Sequence, residues 1–238
     1  MASRMPAPAQ TAPSRLRPLP RGFYARSVLA VARDLLGHLL VHDGPGGRTV
    51  GRIVEVEAYR GADDPASHAY RLTPRSRIMA GPPGVAYVYF TYGNHHCVNV
   101  VTGPPGVASA VLLRAIEPVD GIGLMARRRG TGDLRRLASG PGRLTQAMGI
   151  SAGHNGWDLT RPPLFIADGR LRCRTIGRSP RIGIRRAADR PWRFFLRGSP
   201  YVSRQPLSTR TAELRWDGGA RRARRDRPRR SPRPAPRN

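Results

Sequence analysis

The chain contains no lysine: all 42 basic residues are arginine. Chemistry that needs a side-chain amine, such as a Schiff base, is therefore excluded, and only the N-terminal amine is left for it. Cysteine is nearly absent as well. Cys97 and Cys173 are too few for a disulfide scaffold and lack zinc-ligand spacing. No apolar run approaches the ~18–20 residues that span a bilayer. Acids are scarce, with 15 Asp and Glu against 42 Arg, so the formal charge is +27 over 238 residues. Such a charge repels itself unless an acidic partner takes it up. The 39% hydrophobic content and the length allow a packed core without disulfide or metal staples.

The charge is uneven. Residues 1–21 carry five prolines, four arginines and no acid, and have no apolar segment of the kind that directs secretion. Residues 217–238 carry nine arginines, two aspartates and four prolines. Neither end can build a core, and both are expected to be disordered arms. The C-terminal tail is expected to add non-specific phosphate affinity, or else to be a solvated charge run. Residues 22–216 keep a net +16 and form the expected folded domain.

Within it, apolar spacing predicts a helix over Phe23–Leu36, stopped by Gly37. Strands are expected at Leu39–His42, Thr49–Ala58, Val85–Thr91, Cys97–Thr102 and Ala108–Ile116, joined by glycine-rich turns. Helices are expected at Val119–Arg128 and Pro141–Met148, the second capped by Ser139. Late strands are expected at Leu164–Ala167, Arg181–Arg186 and Arg193–Arg197. Strands cluster without βαβ alternation. The fold class is α+β: a single domain with a mainly antiparallel, curved sheet and flanking helices. A polar loop over residues 60–84 is long enough to be functional.

Four of the acids fall within ten residues: Glu55, Glu57, Asp63 and Asp64. Glu55 and Glu57 share one face of a strand. A buried carboxylate kept ionised by a cation can serve as a general base. Surface ion pairs with neighbouring arginines are the other reading, and composition alone favours them. Tyr59, Tyr87, Tyr89 and Tyr92 lie in or beside the same strands. Tyrosine among arginine suits base stacking, whereas core packing explains at least Tyr87. His95 and His96 are adjacent on a strand and point to opposite faces, so no metal site is expected. The glycine-rich stretches Gly44–Gly47 and Gly81–Gly84 lack the residues of a phosphate-binding P-loop.

The order of motifs is more specific than any one of them. Arg-Ile-Val-Glu-Val-Glu-Ala-Tyr (52–59) precedes Asp63-Asp64, His68, Thr-Pro-Arg-Ser-Arg (73–77) and Tyr-Val-Tyr-Phe-Thr-Tyr-Gly (87–93). Asn99, Val-Leu-Leu-Arg-Ala-Ile-Glu-Pro (111–118), Ser-Gly-Pro (139–141) and Arg-Gly-Ser-Pro (197–200) follow. From about residue 23 to 204 the chain resembles the 3-methyladenine (alkyladenine) DNA glycosylases.

That resemblance implies a base-excision repair enzyme acting on damaged double-stranded DNA. It would flip an alkylated or deaminated purine out of the duplex and hydrolyse its N-glycosidic bond, leaving an abasic site. It further implies Glu57 as the catalytic base and Arg114 as the residue holding the carboxylate and its water. Tyr59, His68 and Tyr89 would be walls of the base pocket, Asn99 its floor, and Tyr92 the wedge in the duplex. No cofactor, metal or protein partner is expected. A monomer in the cytoplasm of a bacterium, associated with the nucleoid, is expected. Asn94 and His95 depart from the apolar or aromatic pair expected after the Tyr-Gly turn. Two other functions fit some of the same residues. A non-catalytic basic DNA- or RNA-binding protein explains the charge and the tyrosines but not the acidic strand. A small-molecule glycoside hydrolase using Glu55 and Glu57 explains the acids but not the charge.

Overall fold

The computed structural model describes residues 16–91, 93–169, 175–203 and 213–214. The C-terminal tail, Tyr92, Cys173 and most of the N-terminal arm lie outside the described residues. The end of that arm is docked: Pro18 bridges to Ala167, and the Leu19 N–H donates to the Ile166 carbonyl. The boundary expected at residue 22 therefore falls inside a packed stretch.

The expected first helix is two helices, α1 (Arg21–Tyr24) and α2 (Val28–Leu35). Ser27 breaks them: it is extended, and its hydroxyl accepts from the Ala30 N–H to cap α2. Val28, Val31, Ala32 and Leu35 recur at helical spacing and are the buried face of α2.

The sheet is antiparallel and curled, with strand order β3 (Ala86–Thr91), β4 (His95–Val101), β5 (Ala110–Asp120), β2 (Gly47–Tyr59), β8 (Arg193–Leu196), β7 (Ile176–Ser179) and β9 (Glu213–Leu214). Strand β1 (Leu39–Gly44) pairs with the first half of β2 and with β6 (Leu164–Ala167). The second half of β2 passes to β8. Register shifts around Val50, Ile53 and Glu55 mark the irregularities that bend β2 between these partners.

One rung of the sheet organises everything that follows. Tyr87, Asn99, Leu112, Glu57, Arg193 and Ser179 are successive cross-strand partners from β3 to β7. Directly opposed residues share a face, so these six side chains leave the sheet on one side. Val56, Val98, Val111 and Leu113 leave it on the other, into the main apolar core with Val31 and Leu35 of α2 and with Leu144 and Met148 of α5 (Pro141–Met148).

Other boundaries depart from the expectation for local reasons. Strand β5 runs on to Asp120, so the next helix, α3, is Ile122–Arg129. Helix α4 (Leu134–Leu137), capped by Asp133, was not foreseen. Helix α5 is where it was expected, but Gly140 rather than Ser139 is its N-cap; Ser139 instead bridges to Ala115. The strand expected at Arg181–Arg186 is irregular chain, and the strand is β7, before it. Pro180 has no N–H for the ladder and ends the pairing.

Gly121 is the sharpest steric constraint at these joints. Its φ is +68°, and a Cβ there would lie 2.2 Å from the Arg48 carbonyl oxygen. Gly121→Ala is expected to lower stability by more than about 1 kcal/mol, read as a fall in the chemical-denaturation midpoint at unchanged slope.

Candidate active site

Glu55 and Glu57 both have no accessible surface. The ion-pair reading of the acids places them at the surface, and it holds for Asp63, which is exposed and lies 2.7 Å from Arg60. It fails for Glu55, Glu57 and Asp64.

The two glutamates differ in what holds them. Glu55 is saturated. It accepts from Arg114 Nε at 2.9 Å, Arg193 Nε at 2.7 Å, and the Ser203 N–H and hydroxyl, each at 2.7 Å. Burial pushes its carboxyl up, but the Arg114 and Arg193 guanidiniums, with the Arg193 and Ser203 hydrogen bonds, outweigh it and leave it below its usual range. Glu57 is held less completely. The Ile182 N–H donates to Oε1 at 2.7 Å, and Arg114 Nη1 lies 3.3 Å from the same oxygen. The Tyr59 hydroxyl donates to Oε2 at 2.8 Å. A carboxylate has about four acceptor positions, so among the described residues one on Oε2 is open.

Arg114 joins the two acids. Burial opposes its charge, but Glu57 and Glu55 more than offset that and hold it cationic. For Tyr59, burial and the neighbouring Glu57 both push the phenol up, so the hydroxyl stays protonated and remains a donor.

Beside this network lies a cavity of about 430 Å³. Tyr59, His68, Tyr89, Asn99 and Arg114 all line it, so five of the expected site residues are brought together. Glu57 sits behind Tyr59 and Arg114 and does not itself reach the cavity surface. The walls are aromatic. The His68 and Tyr89 rings lie 4.6 Å apart at 61°, and those of Tyr87 and Tyr89 5.2 Å apart. Tyr87 is buried as core packing predicts, yet its hydroxyl lies 2.9 Å from His68 Nδ1. Burial and then Arg75 push His68 below its usual range, so the ring is neutral near pH 7. Asn99 donates from Nδ2 to the Tyr87 carbonyl at 3.0 Å, which fixes its amide.

Several site residues carried no readable signal. Ile182 acts through its backbone N–H, which no side-chain pattern reports. Arg193 and Ser203 are hidden among many arginines and serines, and only the pairing of β8 with β2 brings Arg193 opposite Glu57. Arg75 came with the Thr-Pro-Arg-Ser-Arg motif but without a role; its guanidinium lies 5.1 Å from the Tyr89 ring centroid.

A second cavity, of about 960 Å³, shares Thr91, Cys97 and Pro141 with the first. Arg136, Arg143 and Ser139 line it. Neither arginine is ion-paired to an acid among the described residues. Among the described residues, no cluster of three or more His, Cys, Asp or Glu could hold a metal ion. No helix there is long and apolar enough to cross a membrane.

The sequence of this chain is similar to those of known proteins. The profile of the methylpurine-DNA glycosylase (MPG) family matches residues 22–200. A protein of Rhodopseudomonas palustris (strain BisB18) is 52% identical over 202 residues, covering 84% of this chain and 96% of its own length. One of Methanoculleus marisnigri is 55% identical over 193 residues, covering 79% of this chain and 99% of its own length. Both are named "Putative 3-methyladenine DNA glycosylase". With the profile spanning most of the chain and relatives at this identity, the chain belongs to the methylpurine-DNA glycosylase family.

Proposed function

We propose that this chain excises damaged purines from duplex DNA by water-mediated hydrolysis, with Glu57 as general base. Its family makes it a DNA glycosylase, a hydrolase of N-glycosyl bonds. The observation that carries the mechanism is Glu57 itself, an ion-paired carboxylate with one open acceptor position behind a 430 Å³ aromatic cavity.

The sugar–base bond is hidden in the stack, so the nucleotide must leave the duplex to be cut. The flipped purine enters between Tyr59, His68 and Tyr89. Those π-faces favour the positive charge of an N-alkylated purine. Asn99, fixed against the Tyr87 carbonyl, presents a rigid floor to the purine edge. In the DNA complex, a water admitted past Tyr59 and Arg114 hydrogen-bonds the open position of Glu57. The C1′–N bond breaks, and its electron pair leaves with the base. The Glu57 carboxylate stabilises the oxocarbenium-like sugar that results. Glu57 then takes a proton from the water as the water oxygen bonds to C1′. The products are the free base and an abasic site. With no lysine to attack C1′, and only the N-terminal amine left for such chemistry, the strand is expected to stay intact. Chromatography of methylated duplex DNA treated with enzyme in metal-free buffer tests this. Free methylpurines are expected, and their absence counts against the reading.

The partner is damaged double-stranded DNA, bound by a monomer. Arg136 and Arg143 beside the cavity fit phosphates flanking the lesion. Replacing both by Met is expected to flatten the salt dependence of duplex binding by about 0.9 in log–log slope per arginine lost; an unchanged slope removes them from the contact. Tyr92 is the proposed wedge, filling the gap left by the flipped base. Tyr92→Ala is expected to weaken binding to lesion duplex more than to undamaged duplex in a side-by-side titration. Equal weakening would remove that role.

A further inference from the structure

Asp64 and Arg181 form a second buried ion pair that the chemistry above does not use. Arg181 Nη1 and Nη2 lie 2.6 and 2.8 Å from the two Asp64 oxygens, and both side chains are fully buried. Asp64 also accepts from the Arg60 N–H at 3.1 Å and the Ala66 N–H at 3.2 Å. Arg181 Nη1 donates to the Ala58 carbonyl at 3.0 Å, and the guanidinium lies 4.6 Å from the Tyr59 ring centroid. The pair therefore ties together the end of β2, the loop that leads to His68, and the segment beginning at Arg181.

Neither side chain lines the cavity, but each neighbours residues that do. Ala58 lies between Glu57 and Tyr59. Ile182, the residue after Arg181, gives its N–H to Glu57. A buried ion pair is a weak source of stability, and apolar residues of similar volume often replace it at no cost. Among the described residues, Arg181 Nε is even buried without a hydrogen-bond partner. What the pair supplies is geometry: a planar fork that fixes three chain segments at once.

We propose that Asp64 and Arg181 are positioning residues for base release, setting the Ile182 amide and the Tyr59 ring against Glu57. This rests on the glycosylase reading above. Without the fork, the Ile182 N–H and the Tyr59 hydroxyl drift, and the Glu57 carboxylate loses its aim at C1′. A misplacement of about 1 Å costs on the order of 100-fold in rate.

The test uses the full chain as wild type, Arg181→Lys, Arg181→Gln, and the double variant Asp64→Asn/Arg181→Gln. The double variant leaves no uncompensated charge, so it keeps a folded protein available if the singles are unstable. Three quantities are read: the thermal unfolding midpoint, the affinity for a duplex carrying a tetrahydrofuran abasic analogue, and the single-turnover release of methylpurines from methylated duplex. The expected result is release slowed about 100-fold in Arg181→Lys and in the double variant, with affinity held within about threefold. Recovery of the unfolding midpoint in the double variant without recovery of rate separates positioning from mere stability. Release within threefold of wild type in either variant overturns the proposal, as does a rate that recovers together with the midpoint. A wild type that releases no base overturns the glycosylase reading and this one with it; an active wild type beside equally active variants overturns this one alone.

Discussion

Glu57→Gln is expected to slow base release by about 10²–10⁴-fold while leaving duplex affinity within a few-fold of wild type. The substitution keeps shape and most hydrogen bonding. Gln can still accept from the Ile182 N–H, and its amide can face Tyr59. What it loses is the charge and the basicity. A water at the open position then has nothing to take its proton, and the oxocarbenium-like sugar loses its nearest anion. In the proposed complex, binding depends on phosphate contacts and on the cavity walls, and Glu57 does not line the cavity. Equal loss of release and affinity would remove Glu57 as the base. The parallel change at Glu55 separates the two acids, because Glu55 already takes four hydrogen bonds and is committed to holding Arg114, Arg193 and Ser203.

Glu55→Gln is expected to act through stability instead. It leaves Arg114 and Arg193 buried without their shared carboxylate, and breaking a buried pair in this way costs about 3–5 kcal/mol. The sign with pH follows from its lowered carboxyl. A carboxyl depressed in the folded state stabilises fully above its unfolded value, about pH 4.3. That contribution is lost as pH falls through the folded value. Denaturant titrations at pH 7 and at successively lower pH should show the Glu55→Gln deficit shrinking below about pH 4.3, because wild type loses there what the variant never had. A deficit that stays constant down to pH 3 would contradict the assignment of Glu55 as an ionised structural anchor.

The sequence made the meander and the carboxylate strand legible for a shared reason. Alternation on β2 through β5 carries one face into an apolar core, and the residues that break the pattern on the other face, Glu57, Asn99 and Arg114, are those at the site. The helix pair at the start was misread because apolar spacing runs through Ser27, whereas the backbone obeys the capping hydroxyl. The strand after Pro180 was misplaced because Arg181 and Ile182 look like strand residues. In the structure, one turns inward to Asp64 and the other lends only its amide to Glu57. Arg193 could not be singled out among 42 arginines until β8 was placed beside β2. The neutral His68 also could not be read from sequence, since burial and Arg75 set it. Burial and Arg75 therefore weigh against an imidazolium at His68.

The central claim is hydrolysis of the sugar–base bond without strand cutting. The most direct measurement is alkali-dependent cleavage of end-labelled duplex oligonucleotides, each carrying one alkylated purine, one hypoxanthine or no lesion, in metal-free buffer. Lesion-dependent cutting that appears only after hot alkali, and vanishes in Glu57→Gln, is the predicted result. Cutting before alkali, or tight binding with no abasic site across the panel, would contradict it.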